Sequence, residues 1–208
     1  MFVERVSWTV PRDLRENSVN LLATLHHYMD SSGGLIRSLS GSELSCSESL
    51  VSITFWKGWE DLARFLASPK ASLLTQSSAH NSQERLRPHH FEVVWQWPEE
   101  EVDTISGESF WAINDYYVDQ GPEALLDNLR QLAPGLARSH DFSCAGLWLD
   151  KNNGSHVALA THWSGSTPPS ASAFDWNNKS GPYRPAIKES QLSIFRVKVT
   201  DPFHLGVA

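Results

Sequence analysis

The sequence predicts an α+β fold made of two β-α-β-β-α-β units carried on one chain. Three observations lead there. Short Val-, Phe- and Trp-rich runs alternate at period two, as half-buried strands do. Apolar stripes at steps near 3.6 residues lie between them, as on amphipathic helices. The same order of elements then recurs in the second half. A chain of 208 residues that is 40% apolar and 20% charged is long enough to bury a core without disulfide or metal staples.

The first strand runs from Val3 to Val10 and stops at Pro11. A helix over Leu14 to Met29 follows, with Leu14, Val19, Leu22, Leu25 and Met29 on its apolar side, and Asp30-Ser31-Ser32-Gly33-Gly34 ends it. Leu35 to Ser40 reads as a second strand and Gly41-Ser42 as a turn. Ser49 to Trp56 is a third strand, with Val51, Ile53 and Phe55 alternating with Ser52, Thr54 and Trp56. Gly58 and the acidic pair Glu60-Asp61 open a helix whose apolar face is Leu62, Phe65 and Leu66; the acids suit its positive N-terminus. Pro69 begins a further polar helical turn toward Glu84, and Phe91 to Trp97 is the fourth strand, with Phe91, Val93, Trp95 and Trp97 on one face.

In the second half Phe110 to Val118 is a strand, and Gly121-Pro122-Glu123 starts a helix with the stripe Leu125, Leu126, Leu129 and Leu132. Phe142–Leu149 and His156–Trp163 flank the turn signal Asn152-Asn153-Gly154. The Ser-, Pro- and Ala-rich stretch from Ser164 to Ala173 leaves the second helix short or absent, and Leu192 to Val199 is the last strand. This order is the ferredoxin-like split motif, twice. The expected division is 1–98 for the first half, an acidic linker over 99–107, and 108–208 for the second half. Trp8 to Trp56 spans 48 residues and Trp111 to Trp163 spans 52, which pairs those tryptophans between halves.

Charge and motifs exclude several function classes. Net charge is −7, with 17 basic residues and no basic stripe, so neither nucleic acid nor an anionic membrane is expected as a partner. Cys46 and Cys144 form no C-x-x-C pair, and the histidines lack the spacing of a zinc site, so no metal is expected. A phosphate loop and G-x-S-x-G are absent. The N-terminal MFVERVSWTVPRDLRE has no apolar h-region, and no apolar run is long enough to span a bilayer, so the expected location is cytoplasmic, with reduced thiols.

The string Ile53-Thr54-Phe55-Trp56-Lys57-Gly58-Trp59-Glu60-Asp61-Leu62-Ala63-Arg64-Phe65-Leu66-Ala67-Ser68-Pro69 resembles the antibiotic biosynthesis monooxygenase type of dimeric α+β barrel: an apolar strand ending in Trp, then a short acidic helix closing on Ser-Pro. The motif covers about seventeen residues, while the order of elements covers nearly the whole chain, counted twice. The resemblance implies two ferredoxin-like units with facing sheets in a barrel-type architecture, here supplied by one chain. In the family two chains usually build it, so a homodimer stays open. Relatives of this kind oxidise aromatic polyketides without metal or bound flavin, others bind or degrade haem, and ring-opening relatives are thought to work with reduced flavin.

The function expected on that basis is oxidation by O₂ of a polycyclic aromatic or phenolic, polyketide-like secondary metabolite through a substrate carbanion or phenolate. No cofactor is expected; reduced flavin or haem stay open. A ligand-binding, cyclase or isomerase role on the same fold is the alternative. Such chemistry needs a base, donors for a forming oxyanion and apolar walls. His26, beside Leu22 and Leu25 at the edge of the buried stripe, and His162, sharing a strand face with Ala158 and Ala160, are the candidate bases. Asn114 and Tyr116, a polar pair on one face of an otherwise apolar strand, are the candidate oxyanion donors. Trp56, Phe65, Trp95 and Trp163 are the candidate substrate-binding walls. His89 and His90 precede the fourth strand. The haem-degrading pattern of Asn, Trp and axial His is split: Asn114 and Trp163 stand in one half, Trp56 and His80 in the other. Nine tryptophans, at least five of them in or at the ends of strands, mark the architecture more than a ligand.

Overall fold

The computed structural model describes residues 1–11, 33–46, 48–69, 71–72, 87–98, 108–118, 141–165, 167–169 and 187–199, together with Asp13, Ser18, His26, Met29, Glu123, Leu125 and Asp127. The elements in chain order are β1 Phe2–Thr9, β2 Leu35–Glu43, β3 Ser49–Trp56, α1 Trp59–Leu66, β4 Arg87–Trp97, β5 Glu108–Val118, β6 Phe142–Asp150, β7 His156–Trp163 and β8 Ile187–Val199. Ser18, His26 and Met29 are helical, as are Glu123, Leu125 and Asp127. The predicted acidic linker 99–107 and Trp176 lie outside the described residues. Among the described residues no helix is long and apolar enough to cross a membrane.

Two compact units divide the chain: Met1–Phe91 with Val197–Ala208, and Glu92–Arg196. The division falls inside β4 and inside β8. In the first unit the strand order is β4-β1-β3-β2, and in the second it is β8-β5-β7-β6. β3 is antiparallel to both β1 and β2, and β7 is antiparallel to both β5 and β6. Each unit therefore places its third strand at the centre, where both faces are covered, and β7 is buried at every position.

Register corrects the pairing of tryptophans expected from spacing. Trp56 lies opposite Phe2, and Trp163 lies opposite Phe110. Trp8 instead faces Leu50, so its register equivalent is Tyr116, whereas Trp111 faces His162 and corresponds to Val3. The similar 48- and 52-residue spacings joined positions at opposite ends of the first strands. A real match lies elsewhere: Trp56 Nε1 donates to Thr54 Oγ1 at 2.9 Å, and Trp163 Nε1 donates to Thr161 Oγ1 at 3.0 Å. Thr-x-Trp at the end of a central strand satisfies a buried indole N–H from its own strand face.

Three boundaries move. β2 continues through Gly41-Ser42, because these residues pair with Val51 and Leu50 of β3 instead of turning. β4 begins at Arg87, so His89 and His90 sit inside the strand. β8 begins at Ile187. In α1 Leu62 and Phe65 are buried against Met29, Trp56 and Ala71, while Leu66 is exposed. Asp150 holds the turn between β6 and β7, its Oδ1 accepting from the backbone N–H groups of Asn152 and Asn153 at 2.8 and 3.2 Å.

Gly34 enters β2 with φ at 86°, a left-handed backbone that favours glycine. Its carbonyl accepts from Lys57 N–H at 2.9 Å, and a Cβ there would collide with the Asp61 side chain in the first turn of α1. The loop and helix are locked together at this point. Gly34→Ala is expected to lower the unfolding free energy by about 1–3 kcal/mol in urea titration; an unchanged midpoint would contradict this role.

Candidate functional site

On β3 the residues Leu50, Ser52, Thr54 and Trp56 share one face by alternation. That face meets helices, since Trp56 packs with Met29, Leu62 and Phe65. Val51, Ile53 and Phe55 point to the other face, beside Val3, Arg5 and Leu39. The Arg5 guanidinium lies 5.3 Å from the Phe91 ring centre. Both faces of β3 are buried, so the hydroxyls of Ser52 and Thr54 must find partners inside the protein.

Those partners form a polar band across the helix-facing side of the first unit. Glu4 on β1 and Ser38 on β2 lie directly opposite Thr54. Val6 and Ser40 lie opposite Ser52. Indole N–H only donates, so Thr54 Oγ1 accepts from Trp56 and its own proton goes to Glu4 Oε2 at 3.4 Å. The other carboxylate oxygen, Oε1, lies 3.4 Å from His90 Nε2. The His90 ring is 5.6 Å from that of Trp59, the first residue of α1, in an edge arrangement. Both bonds to Glu4 are longer than ordinary N–H···O or O–H···O bonds, and Glu4 is only 5% exposed.

His26 reaches the next row of the band. Its Nε2 lies 3.0 Å from Ser52 Oγ, the residue is 2% exposed, and Nδ1 has no hydrogen-bond partner. Burial pushes the imidazole down to about 4 from its ordinary 6.5. It is therefore neutral at pH 7, with one ring nitrogen anchored and the other buried without a hydrogen-bond partner. Ser52 and Thr54 are two residues apart on one strand face, so His26 and Glu4 act on rows about 7 Å apart.

The other candidates are placed differently. Asn114 and Tyr116 share the helix-facing side of β5 with Phe110 and Val118, and Asn114 Nδ2 donates to the Tyr116 hydroxyl at 2.8 Å. Burial pushes that hydroxyl's pKa up, so it keeps its proton. Tyr116 belongs to an apolar cluster with Val118, Leu125, Leu147, Val157 and Leu159, against which Trp95 packs. His162 lies on the opposite face of the same sheet, opposite Trp111 in register and with ring centres 5.4 Å apart. The structure thus joins Asn114 to Tyr116 and separates both from His162. Trp56 and Phe65 are stacked at 5.5 Å within the first unit's core. Trp163 is packed with Phe110 and Ala112, its ring 5.3 Å from that of Phe142. Of the haem-degrading pattern, Asn114 gives its amide to Tyr116, Trp163 sits in this apolar cluster, and His80 lies outside the described residues. The described residues do not assemble that set.

A second buried histidine is fully engaged. His156 Nδ1 lies 2.9 Å from Asp150 Oδ2 and Nε2 lies 2.9 Å from Asp115 Oδ1, with the Tyr117 ring stacked at 4.8 Å. Each ring nitrogen lies within hydrogen-bond distance of a carboxylate oxygen. His156 is thus a clasp between strands, with no ring nitrogen left over.

Glu4, Ser52 and Thr54 were not among the sequence candidates, and His90 reads in the sequence only as a residue preceding the fourth strand. The available signal was the Ser52, Thr54, Trp56 alternation: a strand face that ends in Trp is a buried face, so its hydroxyls mark an internal polar row.

No family model matches the chain, and no curated protein is significantly similar to it. Solved structures share its fold. A candidate monooxygenase from Lactobacillus acidophilus NCFM is 10% identical over 96% of both chains, with a TM-score of 0.61. One from Fusobacterium nucleatum subsp. nucleatum ATCC 25586 is 9% identical, covering 96% of this chain and 92% of that one, with a TM-score of 0.64. An anthrone oxidase-like protein is 14% identical over 99% of this chain and 96% of that one, with a TM-score of 0.63.

The depressed His26 value carries a stability consequence. A folded-state value below the unfolded one means that this contribution is fully present above about pH 6.5 and is lost as pH falls toward 4. Wild type is expected to lose about 2–3 kcal/mol more than His26→Gln between pH 7 and pH 4.5 in urea unfolding. Parallel losses in the two proteins would contradict the buried neutral imidazole.

Proposed function

We propose that the helix-facing polar band of the first unit is the active site of an oxygenase, and that His26 is its base. The single observation that supports this most strongly is the buried, neutral His26 with Nε2 on Ser52 and Nδ1 unpartnered. The names of the full-length structural relatives point the same way. With Nε2–H donating to Ser52, Nδ1 presents its lone pair.

The substrate in this reading is a polycyclic aromatic or phenolic metabolite, of which anthrone is the simplest type. Nδ1 takes a proton from the acidic ring CH₂ (or from the enol tautomer's O–H). The resulting anion gives one electron to O₂, and the two radicals combine to a peroxide on that carbon. The His26 proton passes to the distal oxygen. Loss of the second C–H proton with cleavage of the O–O bond then releases water and leaves a carbonyl. The sum is R₂CH₂ + O₂ → R₂C=O + H₂O, so the substrate supplies all the electrons and neither metal nor flavin enters the balance. The imidazole stays neutral across the ordinary pH range, because only below about pH 5 does protonation remove its lone pair.

Oxygen uptake with anthrone tests this. His26→Ala is expected to lower the rate by about 10²–10⁴-fold at pH 7, and the wild-type rate is expected to stay level from pH 6 to 8. Consumption of the probe without oxygen uptake would contradict the oxygenase reading and favour a cyclase or isomerase. Full activity of His26→Ala would remove His26 as the base.

A further inference from the structure

The two units carry the same Thr-x-Trp device but differ around it. In the first, the Thr54 hydroxyl donates to a buried carboxylate, Glu4. In the second, the Thr161 hydroxyl donates at 3.2 Å to the backbone carbonyl of Ala112, which occupies the register position of Glu4. Ser52, the anchor of His26, corresponds to Leu159. The second unit's helix-facing side is filled with Tyr116, Val118, Leu125, Ala145, Leu147, Val157 and Leu159. Among the described residues it keeps the fold device and lacks counterparts of Glu4 and Ser52.

Glu4 has acceptor capacity to spare. An ionised carboxylate offers about four lone-pair sites, and the bonds to Glu4 are the two 3.4 Å contacts from Thr54 and His90. A buried carboxylate held this loosely is under-satisfied, and an O–H donor from a ligand would complete it. We infer that Glu4 accepts a hydroxyl of the substrate, one row away from His26, and that each chain therefore has one substrate site, in its first unit. The ligand class is an aromatic ring system with an acidic C–H on one edge and a hydroxyl on the opposite edge. His90 and Thr54 are positioning residues that fix the carboxylate. This assignment rests on the His26 site described above.

The probes are 1,8-dihydroxyanthrone, whose hydroxyls lie across the central ring from its acidic CH₂, and anthrone, which lacks them. Wild type is expected to bind one dihydroxyanthrone per chain by calorimetry and to prefer it to anthrone in kcat/KM. Glu4→Gln, which keeps the shape of the side chain, is expected to reduce that preference about 10- to 100-fold. A loss of stability alone would lower both rates and leave their ratio in place, so the ratio is the diagnostic readout. An unchanged ratio in Glu4→Gln, or two sites per chain, overturns this inference, while His26→Ala still reports separately on the oxygenase reading. Binding of neither probe by wild type overturns both.

Discussion

A central strand covered on both faces is the constraint from which the first unit's arrangement follows. β3 has no solvent to satisfy its hydroxyls, so each must be matched by another protein group. Thr54 solves this by accepting from Trp56 and donating to Glu4, which in turn faces His90 from β4. Ser52 solves it through His26, a helical residue brought down onto the sheet. Three elements, β1, β4 and the helix of His26, are thus tied to two hydroxyls on one strand. The cost of burying Glu4 and His26 is offset only partly by these bonds.

The second unit shows what the same frame does without that chemistry. Trp163 and Thr161 repeat the indole-to-hydroxyl bond, and the backbone carbonyl of Ala112 closes it. Leu159 stands at the register position of Ser52 and Ala112 at that of Glu4. Two of its buried polar sets are paired: Asn114 with Tyr116 on one face, His156 with Asp115 and Asp150 on the other.

Much of the strand framework was legible because period-two alternation is local. β3, β5, β6 and β7 fall close to their expected bounds. β4 was read too short because Pro88, His89 and His90 carry no strand signal of their own, and the pairing that recruits them is non-local. Gly41-Ser42 read as a turn because composition does not show that β3 lies alongside to pair them. In the site, the burial of His26 followed from its place beside Leu22 and Leu25 on the first helix's stripe. Glu4 and His90 could not be seen: they are 86 residues apart, and each alone is an ordinary polar strand residue. The nine tryptophans misled through spacing, since Trp8 and Trp111 occupy different register positions.

Everything in the functional account turns on the protonation of one ring. Nitrogen-15 NMR of the His26 imidazole reads it directly, with His26→Gln assigning the signal. The account predicts a neutral ring with its proton on Nε2 from pH 5 to 8, protonating only near pH 4. A ring that titrates near 6.5, or that carries its proton on Nδ1 at neutral pH, would contradict it.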